Sequence, residues 1–416
     1  MNKDLNQSEG QIEKVIPRRK LLLGGAALGM SLFLKKNIFG SDASKALRSI
    51  DSSYDPTRIP GPPPGVIGSR SPYENLKLFP ITTSSRSPLQ DFHGMITPSD
   101  LHFQRHHAGV PEINPEKFEL LIHGMVDKPM VFTLNDLKRF PSLSRIFFIE
   151  CSGNYRGGKE DLTPQQIAGL TSQSEWTGVL LSTLFRELGV SNKAKWFIAE
   201  GSDAAKMTRS VPLERALQLG GMIAYGQNGE ALRPEQGYPA RLLIPGWEGN
   251  ISVKWIRRIE FTDQPAMSRE ETSKYTEKVR DHIRQFSLDM DARSIITSPS
   301  YPGTVEMGWI EIRGLAWSGR GKIDSVDVST NGGKTWTKAM LHGPVLDKAH
   351  VRFTHLFQWD GRETEIRSRA IDETGYIQPT LKTLRKARGA DSGYHFNPIT
   401  AWVLKRDGRV LFNDDF

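Results

Sequence analysis

The chain has 416 residues, of which 38% are hydrophobic and 25% charged, a balance that excludes a disordered polymer and a protein of many membrane spans. A formal charge of +8 and an isoelectric point near 9.4 favour anionic substrates or an acidic protein partner, while the lack of a long basic run beyond the N-terminus leaves nucleic acid unsupported as a partner. Cys151 is the only cysteine, so no internal disulfide is possible.

Residues 1–40 open with Pro17-Arg18-Arg19-Lys20, continue with the uncharged stretch Leu21–Leu34 and close on Lys35-Lys36. Paired arginines before a modest apolar segment resemble a twin-arginine export signal, which would place the protein in the periplasm after folding. The apolar stretch is shorter than the roughly 20 residues a membrane span needs. An amphipathic helix or signal anchor stays open, because no clean Ala-x-Ala cleavage site follows. Residues 41–90 are rich in Pro, Gly and Ser and read as an extended lead-in.

From residue 91 the pattern becomes mixed. Residues 118–122, 146–149 and 196–199 read as strands, and residues 180–188 and 212–219 as short helices, giving an α+β domain over 91–263. Ser152-Gly153-Asn154 breaks the strand at 146–149, so Cys151 is expected at a strand end that leads into a loop. Residues 264–293 look like a polar connector. Beyond it, residues 310–317, 323–329 and 365–372 alternate apolar and polar, and Asn331-Gly332 signals a hairpin. Residues 294–416 therefore read as a β-sandwich of immunoglobulin type, suited to assembly.

Three segments carry chemistry-bearing residues. His102, His106 and His107 crowd one loop with Arg105, but no Glu completes a zinc-binding helix motif, so a ligand with anionic groups is the better expectation. Cys151 taken alone reads as inert packing. The glycine-rich run from Tyr225 to Trp255 carries Arg241 and Lys254, without a nucleotide-binding phosphate loop.

In this order the segments resemble the sulfite oxidase family of molybdenum enzymes. Phe103, Arg105 and His107 match its Phe-x-Arg-x-His pattern, and Cys151, Gly153, Asn154 and Arg156 match Cys-x-Gly-Asn-x-Arg. The Asn-Gly loop, the segment ending at Arg241 and Val253-Lys254-Trp255 also match. Residues 269–276, 314–323, 372–376 and 394–397 resemble the SoxC branch, the molybdenum subunit of sulfane dehydrogenase. The resemblance implies a sulfite-oxidase-type molybdopterin-binding domain followed by an immunoglobulin-like dimerisation domain. It implies a molybdenum–molybdopterin cofactor with Cys151 as the metal's protein ligand, and no haem on this chain. Phe103, Arg105, His107, Asp203, Gln236, Arg241, Ser252 and Lys254 would bind the cofactor; Gln236 departs from the histidine many members carry there. Arg105, Arg156 and Tyr275 would form the substrate pocket. The implied reaction is oxygen-atom transfer to sulfane sulfur on a carrier protein, with electrons passing to a SoxD-like c-type cytochrome and a homodimer formed through the C-terminal domain. A free-sulfite dehydrogenase is the alternative, and a metal-free anion-binding scaffold a more distant one. Nitrate reductase would be expected to carry fused haem and flavin domains.

Overall fold

The computed structural model describes residues 60–155, 157, 161–279, 283–389 and 393–413. The export-signal segment and the lead-in before Pro60 lie outside the described residues. Residues 60–72 belong to a first unit, Met1–Pro72, and are exposed and without helix or strand. Everything below concerns the second unit, Tyr73–Phe416.

Two five-stranded sheets build the first domain. In one, Leu143–Glu150 pairs with Thr171–Leu180, which pairs with Met222–Gln227; Arg241–Leu243 and Glu230–Ala231 also pair with Met222–Gln227. In the other the order is Met130–Thr133, Glu119–Gly124, Ile256–Thr262, Trp196–Gly201, Thr208–Pro212, with one parallel pairing between Glu119–Gly124 and Ile256–Thr262. A core that includes Ile122, Phe197, Ile259 and Leu242 draws on both sheets. Helix Leu181–Leu188 adds Leu181, Leu184, Phe185 and Leu188, a spacing that puts all four on one face, and it ends at Gly189 with φ 63°, a left-handed stop that suits glycine.

The second domain is a sandwich of antiparallel sheets. One runs Arg293–Ser298, Gly308–Trp317, Val351–Trp359, Met340–His342; the other runs Thr337–Lys338, Ile323–Ser329, Thr364–Asp372, Ala401–Leu404, Val410–Asn413. Strand Leu143–Glu150 belongs to the cores on both of its faces. Phe147 and Ile149 pack with Phe103, Trp176 and Cys151, while Phe148 joins the sandwich core. Successive strand residues point to opposite faces, so this strand holds the sandwich on one side and presents the cysteine end of the site on the other. Full burial of a side chain such as Phe148 contributes about 1.5–3 kcal/mol.

Three expectations change. The lead-in packs well before residue 91: Phe79–Ile81 and Ser84–Arg86 form a three-stranded sheet with Gln104–Arg105, and Ser87 and Leu89 are buried, with Ser87 N–H donating to Gly169 O at 2.8 Å. The connector is structured too. It holds helix Arg269–Thr272 and the hairpin Glu277–Val279 with Ile283–Gln285, and both Glu270 and Glu271 are buried. Finally, Asn331-Gly332 belongs to a longer loop, in which the Ser329 hydroxyl accepts from Asn331 and Gly333 N–H. The tight Asn-Gly hairpin sits instead at Asn228-Gly229, with φ of 51° and 80°, between Met222–Gln227 and Glu230–Ala231.

Candidate active site

A cleft of about 680 Å³ opens beside the end of strand Leu143–Glu150. Cys151 lies on it, half-buried, with its N–H donated to Leu170 O at 2.9 Å and its carbonyl accepting Asn154 N–H at 3.0 Å. Burial pushes the thiol above its ordinary pKa, although Gly153 N–H and Arg105 oppose that. Glu150, one residue earlier, points the other way. Its Oε1 accepts from Asn154 Nδ2 at 2.9 Å and Arg293 Nη1 at 3.2 Å, and its Oε2 from the Trp317 indole N–H at 2.6 Å. Burial pushes this carboxyl upward, yet three donors aimed at two oxygens fit the ionised form. The cysteine is thus fixed from behind by the sandwich.

Phe103, Arg105, His107, Cys151, Asp203, Gln236, Arg241, Ser252, Lys254 and Tyr275 all line this cleft. Arg156 lies outside the described residues. Gly237, with φ 107°, turns the chain after Gln236 where a Cβ would press on Arg241 and Lys254 at 3.1 Å. Gln236 Nε2 donates to Phe103 O at 2.9 Å, which ties the glycine-rich run to the loop holding Arg105. The Asn228-Gly229 turn does not reach the cleft; Asn228 Nδ2 is donated to Thr97 O at 2.9 Å.

The charge on the cleft is lopsided. Arg105, Arg241 and Lys254 line it, and among the described lining residues Asp203 is the one carboxylate. Arg241 is buried, with Nη1 and Nη2 donated to Gln236 O at 2.9 Å and Ser252 O at 2.8 Å, while its Nε has no partner. Burial alone drags this guanidinium down to about 9. Lys254 is pushed well below the usual lysine range by burial and then by Arg241. Its three protons go to Arg105 O, Glu235 O and His106 Nδ1 at 3.2, 3.0 and 2.8 Å, so it offers a ligand charge rather than a free donor.

The histidines divide the work. Burial holds His102 and His106 at about 3 and His107 at about 4, so all three are neutral near pH 7. His107 Nε2 and the Tyr275 hydroxyl share a hydrogen bond of 2.8 Å. Burial raises the phenol pKa, which keeps the Tyr275 hydroxyl protonated. Tyr275 and Trp255 both have left-handed φ, 43° and 52°, unusual for bulky side chains.

Asn250, Trp255, His102 and His106 also line the cleft; the sequence reading noted the histidine loop and the Val253-Lys254-Trp255 run but did not place these four among the site residues. Asn250 Oδ1 and His102 Nε2 are buried without partners, as is Arg241 Nε. Orphaned donors and acceptors around a cationic cleft fit a large polar ligand with anionic groups. The lone thiol beside them suits a soft metal. Together they fit a phosphate-bearing pterin that carries molybdenum.

Comparison with known proteins agrees. Residues 107–270 match the oxidoreductase molybdopterin binding domain, and residues 284–401 the Mo-co oxidoreductase dimerisation domain. The crystal structure of the sulfane dehydrogenase SoxCD from Paracoccus pantotrophus is 44% identical, with a TM-score of 0.77, over 83% of this chain and 89% of that one. Mitochondrial sulfite oxidase of Rattus norvegicus is 29% identical over 71% of this chain, and an NADH nitrate reductase of Solanum lycopersicum 31% over 69%. The chain spans 59% of that sulfite oxidase and 36% of that nitrate reductase. It belongs to the sulfite oxidase family of molybdenum oxidoreductases.

Proposed function

We propose that the chain is the catalytic subunit of a sulfane dehydrogenase: it oxidises sulfane or persulfide sulfur on a carrier protein and passes the electrons to a c-type cytochrome. The observation that carries this reading is the cleft in which Cys151 faces Arg105, Arg241 and Lys254 with Asp203 as the sole lining carboxylate among the described residues. Similarity to the sulfane dehydrogenase SoxCD over most of both chains favours sulfane sulfur. Free sulfite is the second reading, favoured by the sulfite oxidase relative. Export to the periplasm and a homodimer through the C-terminal domain belong to the same proposal. The outer face of that domain exposes Trp309, Leu356 and Met340, apolar surface suited to an interface.

When bound, the molybdenum cofactor supplies the two-electron redox and oxygen-atom-transfer chemistry. The chain supplies position and charge. Cys151 would give its sulfur to the metal, and coordination removes the proton that burial otherwise holds on the thiol. Arg241 Nε and His102 Nε2, with the charge of Lys254, would hold the pterin's phosphate and heteroatoms, and the Ser252 hydroxyl, Asp203 and Gln236 border the same space. Arg105 offers charge to an anionic sulfur substrate, and the protonated Tyr275 hydroxyl stays hydrogen-bonded to His107 Nε2 until a substrate oxygen or sulfur competes for it.

The test is elemental analysis of the protein expressed in a host that makes the cofactor, followed by turnover of sulfite and of protein-bound persulfide with a cytochrome acceptor. Molybdenum near one atom per chain and faster oxidation of persulfide are expected. Efficient oxidation of sulfite alone would overturn the sulfane reading, and a metal-free protein the whole proposal.

A further inference from the structure

Arg209, in strand Thr208–Pro212, is buried between two carboxylates from distant parts of the chain. Its Nε donates to Glu271 Oε1 and its Nη1 to Glu248 Oε1, both at 2.9 Å. Glu271 belongs to helix Arg269–Thr272, just before Tyr275, and also accepts Ser210 N–H at 2.9 Å. Glu248 begins the turn that delivers Asn250, Ser252 and Lys254 to the cleft, and its Oε2 accepts His395 Nε2 at 3.3 Å. His395 follows Tyr394, whose ring centroid lies 5.4 Å from that of Tyr275. The Arg209 guanidinium carbon itself sits 5.0 Å from the Tyr275 ring centroid.

Buried ion networks of this kind often add little stability over apolar residues of the same volume, so stability is a weak explanation for three buried charges here. Geometry is a better one. Tyr275 has a left-handed backbone at φ 43°, a state that persists only when its surroundings over-determine it. Helix Arg269–Thr272 directly, and the segment holding Tyr394 through Glu248 and His395, are tied to one guanidinium.

We infer that Arg209 is a positioning residue that clamps Tyr275 so that its hydroxyl meets His107 over the cleft. The inference rests on the proposed reading of Tyr275 as part of the substrate pocket. Arg209 touches neither substrate nor cofactor in this arrangement; it acts through the ring and the helix before it.

The test uses the full-length, cofactor-loaded protein in three forms: Arg209→Lys, the charge-neutral R209M/E248Q/E271Q, and the latter combined with Tyr275→Phe. Molybdenum content should stay near wild type, while KM for the sulfur substrate rises roughly tenfold in the charge-neutral variant, within the range of couplings between contacting residues. Arg209→Lys should fall between it and wild type. In the Tyr275→Phe background the same changes should alter KM less than about twofold, because the residue they act through is already impaired. Hydrogen exchange of residues 268–276 should quicken by about tenfold or more in the charge-neutral variant while the sandwich strands stay protected. KM effects that multiply with those of Tyr275→Phe, or unchanged exchange at 268–276, would overturn the clamp. If the wild-type protein turns over no sulfur compound, the functional proposal fails, and the exchange measurement still decides the clamp. If the charge-neutral variant does not fold, Arg209→Lys decides it by the same two readouts.

Discussion

Glu150→Ala is the sharpest test of how the sandwich holds the site. The carboxylate is the acceptor for Arg293, Asn154 and Trp317, and Arg293 is only 2% exposed. Its removal strands a buried guanidinium, worth about 3–5 kcal/mol, and orphans the Trp317 N–H, worth about 1–3 kcal/mol. Because neighbouring losses overlap, about 4–6 kcal/mol is the expected total. With a urea slope near 3 kcal/mol/M, the midpoint followed by tryptophan fluorescence should drop by roughly 1.3–2 M. The double variant Glu150→Leu, Arg293→Met removes both charges and should recover most of that loss. The damage should also reach the cleft. Asn154, released from Glu150, is the residue whose Oδ1 accepts Leu170 N–H at 2.8 Å, and Leu170 O accepts Cys151 N–H. Molybdenum content should therefore fall further in Glu150→Ala than in Leu404→Ala, a core change in the sandwich that costs about 2–5 kcal/mol. A loss under about 1 kcal/mol, or a double variant as unstable as Glu150→Ala, would refute this reasoning.

Cys151→Ser should leave circular dichroism unchanged while turnover disappears; retained activity would exclude the cysteine as metal ligand. Arg241→Met should change apoprotein stability by less than about 2 kcal/mol, since relief of a buried unpaired cation offsets two lost hydrogen bonds, yet lower molybdenum content several-fold; unchanged metal content would refute its role as an anion-facing donor. Acid should weaken the fold through His102 and His350, both buried and held at about 3 by burial. Unfolding restores an ordinary pKa near 6.5, so between about pH 6.5 and 3 the unfolded chain binds more protons and stability falls with pH, by up to about 1.4 kcal/mol per pH unit for each histidine. His350→Gln should flatten the urea midpoint against pH between pH 4 and 6, and an unaltered slope would count against that assignment.

The parts of this protein that its sequence reveals are those whose meaning is local. Residues 146–149 are apolar on both faces, so the strand and the loop at Cys151 are legible without a partner, and residues 181–188 carry their helical face in their own spacing. Asn-Gly is local as well, but its outcome depends on the flanking chain. At Asn228-Gly229 the strands pair at once, whereas at Asn331-Gly332 the Ser329 hydroxyl gathers the backbone into a wider loop. What stays hidden is non-local charge. Glu271 sits in a segment that periodicity treats as solvated, and it is buried because Arg209, 62 positions earlier, was waiting for it. Glu150 and Arg293 are separated by 143 positions and come from different domains. A reading based on hydropathy counts every such residue as surface, and so errs at both of these pairs. Those errors are informative, because a charged residue that the fold buries at some expense is held for its geometry. In this chain Glu150 and Arg293 lie behind Cys151, and Glu271 and Arg209 lie beside Tyr275, and both Cys151 and Tyr275 line the one cleft.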